Sequence, residues 1–102
     1  MEVIITRPTK KEVIAELIGR MDTPASQEVG PQLEALKADA AGTIVLDCKE
    51  LTYISSSGLR LFLTLRKEAE EKGGKVIVRS IRDEIRGVFR MTGFLNLFQI
   101  EE

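Results

Sequence analysis

Residues 43–74 read TIVLDCKELTYISSSGLRLFLTLRKEAEEKGG, and this stretch decides the fold. Thr43-Ile44-Val45-Leu46 is short, β-branched and apolar, the pattern of a central strand covered on both faces, and Asp47 ends it. Lys49, Glu50 and Thr52 then read as a loop, with Leu51, Tyr53 and Ile54 turned inward. From Ser56 onward Gly58, Leu61, Phe62, Leu65 and Ala69 keep to one side, while Arg60, Thr64, Lys67 and Glu71 keep to the other. That spacing is an amphipathic helix, and Gly73-Gly74 stops it because glycine closes a C-terminus in the left-handed conformation without steric cost. Ser55, Ser56 and Ser57 therefore stand where unpaired N–H groups and the positive end of the helix dipole converge. A phosphate is favoured there, either as a ligand or attached to a hydroxyl.

Working outward, Val3–Arg7 reads as a first strand, residues 8–11 as a turn, and Glu12–Gly19 as a second strand, so the chain opens with a β-hairpin. Asp22-Thr23-Pro24 is a helix start, a capping oxygen ahead of a proline tolerated in the first turn. Val29, Leu33, Leu36 and Ala40 keep one apolar face. Pro31 inside this segment predicts a kink, or a helix whose regular part begins there. Lys75–Arg79 is the next strand, Asp83–Thr92 a short helix closed by Gly93, and Leu97–Ile100 the last strand. The order ββαβαβαβ gives an α/β domain over residues 1–102. Its mixed sheet has an antiparallel N-terminal hairpin, and right-handed crossovers keep the later strands parallel.

At 102 residues folding buries about two-thirds of the surface that the unfolded chain exposes, enough for an unaided core. Fifteen basic against sixteen acidic residues leave a net charge of -1, which argues against a nucleic-acid partner. No run is apolar and long enough for membrane insertion, no charged-then-apolar leader pattern is read in the chain, and Cys48 reads as a reduced, packed thiol; together these predict a cytoplasmic protein. The absence of histidine removes Ser-His catalysis and most zinc sites, and the chain has neither a P-loop nor a G-x-G-x-x-G turn. The remaining enzyme-like pairings are a serine with Lys49 or Lys72, and Asp47 with Glu50. These read more simply as a solvated loop and a strand end. Neither a catalytic residue, a metal site nor a cofactor is expected. A free nucleotide at the serine helix start is a better rival, although nothing here reads a base or ribose. Leu59 and Leu63 widen the apolar arc of the serine helix, either covered or offered to a partner, and Arg82, Arg86 and Arg90 align as a stripe.

The chain resembles the STAS domains, named for sulfate transporters and antagonists of anti-sigma factors. The likeness rests on Gly19-Arg20-Met21-Asp22-Thr23, on Asp47, on Ser56-Ser57-Gly58-Leu59 and on Thr92-Gly93-Phe94, in that order along nearly the whole chain. In bacterial anti-sigma factor antagonists of this type, the anti-sigma factor is a serine kinase that phosphorylates the first serine of the Ser-Ser-Gly step, and a phosphatase reverses it. The resemblance carries that role to Ser56, with Ser57 as the fallback acceptor. Partner binding is expected at the two helix starts and the face beside them, at Asp22, Thr23, Ser26, Ser55, Ser56, Ser57, Leu59, Arg60 and Leu63. Regulation of transcription is then indirect. The chain departs from the pattern at Ser55, where the family usually has aspartate, and in ending at Glu101-Glu102 without the family's C-terminal helix. The Ser55 departure leaves a second expectation, an unphosphorylated STAS scaffold or small subunit of a signalling or membrane transport complex.

Overall fold

The computed structural model describes residues 1–102. Strands β1 (Glu2–Thr9) and β2 (Glu12–Met21) form the opening hairpin, and α1 (Thr23–Glu34) follows, continued by a 3-10 turn over Ala35–Asp39. Strand β3 (Thr43–Ile54), α2 (Ser56–Lys72), β4 (Lys75–Arg79), α3 (Asp83–Thr92), a short 3-10 turn (Phe94–Asn96) and β5 (Gln99–Glu101) complete the chain. The sheet order is β1-β2-β3-β4-β5, with β1 antiparallel to β2 and every other neighbour parallel. The expected mixed sheet is therefore found. Crossovers that advance one strand at a time in a constant direction place all three helices on one face. The core lies between the layers, where Val13, Ala15, Leu17, Ile44, Leu46, Cys48, Val76 and Val78 of the sheet meet Leu33, Phe62, Leu65, Ala69 and Phe89 of the helices.

Five expectations need correction. The segment read as a loop after Asp47 is strand, so β3 runs to Ile54. The register explains why the pattern hid it: Glu16 pairs with Asp47 but Ile18 with Glu50, and Gly19 pairs with Leu51 but Arg20 with Tyr53. Twice β3 spends one residue more than β2, and each bulge breaks the alternation that marks a strand. Inward positions fall at Cys48, Leu51 and Ile54, every third residue. Tyr53, expected inside, is consequently exposed and lies under the guanidinium of Arg20, 4.5 Å from its ring centre.

Pro31 does not delay its helix. The regular part begins at Thr23 and passes through Pro31, which has no N–H to give to the carbonyl of Gln27. Gly30 precedes the proline, and without a Cβ it escapes the clash that normally drives a pre-proline residue out of the helical region. The helix tightens to 3-10 geometry only from Ala35. Finally, Pro8 lies within edge strand β1 beside a register shift between Thr6 and Thr9, and the last strand starts at Gln99 because Phe94–Asn96 forms a turn.

Candidate functional site

Helices α1 and α2 begin at the same end of the sheet, at the C-terminal ends of β2 and β3. Each has a capping side chain. Asp22 Oδ1 accepts from the Ala25 N–H at 2.9 Å, and Ser55 Oγ accepts from the Gly58 N–H at 3.2 Å. The Ser55 N–H donates to the Met21 carbonyl at 2.8 Å and so ties one helix start to the strand leading into the other. Gly58 is needed for this approach: a Cβ there would sit 2.7 Å from Met21 Sδ and 2.9 Å from Ile54 Cγ1.

Three hydroxyls join the helix starts. Ser26 Oγ lies 3.0 Å from both the Asp22 and Thr23 carbonyls and 2.8 Å from Ser57 Oγ, which is 3.0 Å from Ser55 Oγ. The proton directions follow from counting. A carbonyl only accepts, so the single Ser26 proton goes to a carbonyl and Ser57 must donate to Ser26. Ser55 must then donate to Ser57, while itself accepting from Gly58. Each hydroxyl gives one bond, and no buried polar side-chain atom is left without a partner. Ser26 and Ser55 are only 4% and 9% exposed.

Ser56 differs from its neighbours. As the first helical residue after its cap it points outward, exposed, and its hydroxyl makes no hydrogen bond within the chain. Thr23 and Arg60 are exposed and Asp22 is half-buried, at the two helix starts that the Ser26–Ser57 contact brings together. The two leucines are less exposed than Ser56. Leu59 is 5% exposed because one step round the helix from Gly58 still faces the sheet, and Leu63 is half-buried against the core. Of the two alternatives read for Leu59, the covered one is found: it packs in the core.

Between α1 and α2 runs a groove of about 480 Å³, lined from α1 by Ser26, Gln27, Gly30, Pro31 and Glu34 and from α2 by Ser57, Arg60, Leu61 and Thr64. Ser26 meets Ser57, and Gly30 faces Leu61 four residues further along both helices, so the helices run side by side in one direction from the serine end. Sequence reading missed the groove and the Arg20–Tyr53 pair. Gln27, Pro31 and Glu34 recur at helical spacing opposite the apolar stripe of α1, a signal that marks an exposed face without saying what lies beside it.

The enzyme-like pairings do not assemble. Lys49 pairs loosely with Glu16 at 3.9 Å, Asp47 accepts from the Lys49 backbone N–H, and Lys72 pairs with Glu68 at the far end of α2. Of the arginine stripe, Arg82 pairs with Glu84 and Arg86 with Glu102, so only Arg90 stays free. Cys48 is fully buried, and desolvation, with Asp47 adding to it, pushes its thiol up to about 12. No helix is long and apolar enough to cross a membrane.

A two-layer α/β domain that gathers two capped helix starts and an outward serine at one end of a mixed sheet is the architecture expected of a STAS domain. The STAS domain model matches residues 4–102, and the chain belongs to that family. Among its relatives, BtrV of Bordetella bronchiseptica is 31% identical over 88 residues, spanning 86% of this chain and 76% of that protein. The anti-sigma F factor antagonist of Paenibacillus polymyxa is 30% identical over 89 residues, with the same shares of 86% and 76%. Of solved structures, the unphosphorylated anti-sigma factor antagonist SpoIIAA has a TM-score of 0.76 at 22% identity, covering 99% of this chain and 88% of that one. At that identity the likeness speaks for the fold.

Proposed function

We propose that this protein is a non-enzymatic anti-sigma factor antagonist. It binds an anti-sigma factor of the serine kinase type through the surface around Ser56 and is released when Ser56 is phosphorylated. One observation carries the reading. Of the serines at this helix start, Ser56 alone is exposed with an unengaged hydroxyl, while Ser26, Ser55 and Ser57 are bound to one another. A kinase can reach Ser56 without breaking a bond, whereas Ser57 would first have to leave two partners. The names of the Paenibacillus polymyxa relative and of the Staphylococcus aureus anti-sigma-B factor antagonists, 24% identical over 84 residues, support the partner class.

The physics of release is electrostatic. A phosphate adds about -1.5 to -2 charges and three acceptor oxygens, which the helix start tolerates within the domain. Buried against a partner that had met a neutral hydroxyl, the same charge costs several kcal/mol, and a penalty of only about 3 kcal/mol weakens binding roughly a hundredfold. Titrating the anti-sigma factor recovered from native extract against Ser56→Ala and Ser56→Asp tests this. Ser56→Ala should bind like the unmodified protein and Ser56→Asp far more weakly; equal affinities would rule the switch out.

Ser55 favours a second reading, in which the chain docks as an unphosphorylated scaffold or subunit. The cap needs only an acceptor for the Gly58 N–H, which serine supplies as well as aspartate, so the family's carboxylate is dispensable for the fold. Mass spectrometry of protein from its native cells separates the two: a modified Ser56 favours the switch, and a persistently unmodified one the scaffold.

A further inference from the structure

Arg60 is the one charged side chain beside the serine cluster that has nothing to pair with. Arg7, Arg66, Arg79, Arg82 and Arg86 all lie against carboxylates, and Arg20 lies over Tyr53. Arg60 is exposed, makes no ion pair, and is the only cation on the wall of the α1–α2 groove, where Glu34 is the only anion. It also stands four residues after Ser56 on the same helix. Side chains at that spacing are neighbours, with Cβ atoms about 5–6 Å apart, and an anion N-terminal to a cation is the favourable order. In the unmodified protein the position one turn before it, Ser56, holds a neutral hydroxyl and the guanidinium is free.

We propose that Arg60 is a counter-ion shared between two states: unpaired and turned to the groove when Ser56 is unmodified, and captured by the phosphate when Ser56 is phosphorylated. This rests on the phosphoserine reading above and adds how the signal spreads. Capture removes the groove's only cation and leaves Glu34 as its only free charge. A partner whose acidic side chain enters the groove beside Ser57 therefore loses its counter-charge at the same moment that it meets the phosphate. The modification then acts on both helices of the surface, although it touches only one residue of α2. The occupant that fits the unmodified groove is a protein segment with an acidic side chain at the Ser57 end and a basic one toward Glu34, a distance of about 12 Å along α1 between Ser26 and Glu34.

The test needs no partner. Phosphoserine installed at position 56 during translation of the full chain is titrated by phosphorus NMR in three backgrounds: wild type, Arg60→Gln, and Arg90→Gln as a control for a free arginine on another helix. With Arg60 present, the phosphate should lose its second proton about 0.3 pH unit lower than in Arg60→Gln, the size expected of an ion pair one helical turn apart. Arg90→Gln should match wild type. Identical titration in wild type and Arg60→Gln, with both chains melting alike, overturns the proposal. An Arg90→Gln shift as large as that of Arg60→Gln overturns it too, because the effect would then be general charge. The installed phosphate does not depend on a kinase. A Ser56 never modified in cells would sink the switch and leave this pairing measured, whereas a flat titration would sink the pairing and leave the switch standing.

Discussion

Ser55, Ser56 and Ser57 are chemically identical and do three different jobs, set by one helical step each. Ser55 caps, Ser57 bridges to Ser26, and Ser56 does neither. Their alanine variants should separate accordingly in urea unfolding. Ser55→Ala loses a cap and should cost about 1 kcal/mol, up to about 2. Ser57→Ala leaves the buried Ser55 proton without an acceptor and should cost about 1 kcal/mol. Ser56→Ala should stay within about 0.5 kcal/mol of wild type, as exposed substitutions do. Equal losses at all three positions would contradict the hydroxyl chain. Gly58→Ala probes the same helix start. Its Cβ would press on Met21 and Ile54, both buried, and relief requires repacking, so a loss of about 1–3 kcal/mol is expected in the same assay. The sequence allowed the three serines to be placed at a helix start and Gly58 on its apolar side. It did not show which serine was free, because that depends on Ser26, thirty-one residues earlier in the chain than Ser57.

Helices α2 and α3 were legible almost to the residue, because each carries a clean period and a glycine stop at Gly73 or Gly93 with left-handed backbone, and β4 was legible as a short apolar run directly after Gly74. Strand β3 was legible only to Asp47. Its bulges shift the period from two toward three, and a pattern that fits neither strand nor helix reads as a loop until the partner strand is known. Helix α1 was obscured by Pro31, whose cost depends on the glycine before it and on solvent reaching the freed carbonyl. What holds the helical layer at the far side is also non-local. Phe62 of α2, Phe89 of α3 and Phe98 meet edge to face or tilted, with ring centres 5.9–6.3 Å apart, and Phe94 lies against Phe89 and Phe98. Phe89 is fully buried at the centre of this cluster, so Phe89→Ala should cost about 3–5 kcal/mol by calorimetry. Met91, two residues on and 89% exposed, should tolerate alanine within about 0.5 kcal/mol. A comparable loss at Met91 would mean that α3 packs by a different face.

For the molecule as a whole, the absence of histidine means that no side chain with an ordinary ionisation near neutrality couples folding to pH. The coupling lies higher, at Cys48. Its thiol is enclosed by the core under the helices and donates weakly to the Leu46 carbonyl at 3.6 Å, and its ionisation is held up to about 12 chiefly by loss of water. In the unfolded chain the same thiol ionises at its ordinary value of 9.0. A group whose folded value is raised stabilises the fold fully below the unfolded value, and that contribution is lost as pH climbs toward the folded one. Between the two values only the unfolded state gives up its proton, so stability should fall by about 1.4 kcal/mol per pH unit, a loss of about that size by pH 10. Urea unfolding of wild type and Cys48→Ala from pH 7 to pH 10 checks this, since lysines and Tyr53 affect both chains alike. Cys48→Ala should begin less stable because it leaves a small cavity, and the gap between the curves should close as pH rises. Curves that stay parallel would show that the thiol reaches water in the native state, and rapid alkylation of Cys48 at pH 8 without denaturant would show the same by chemistry.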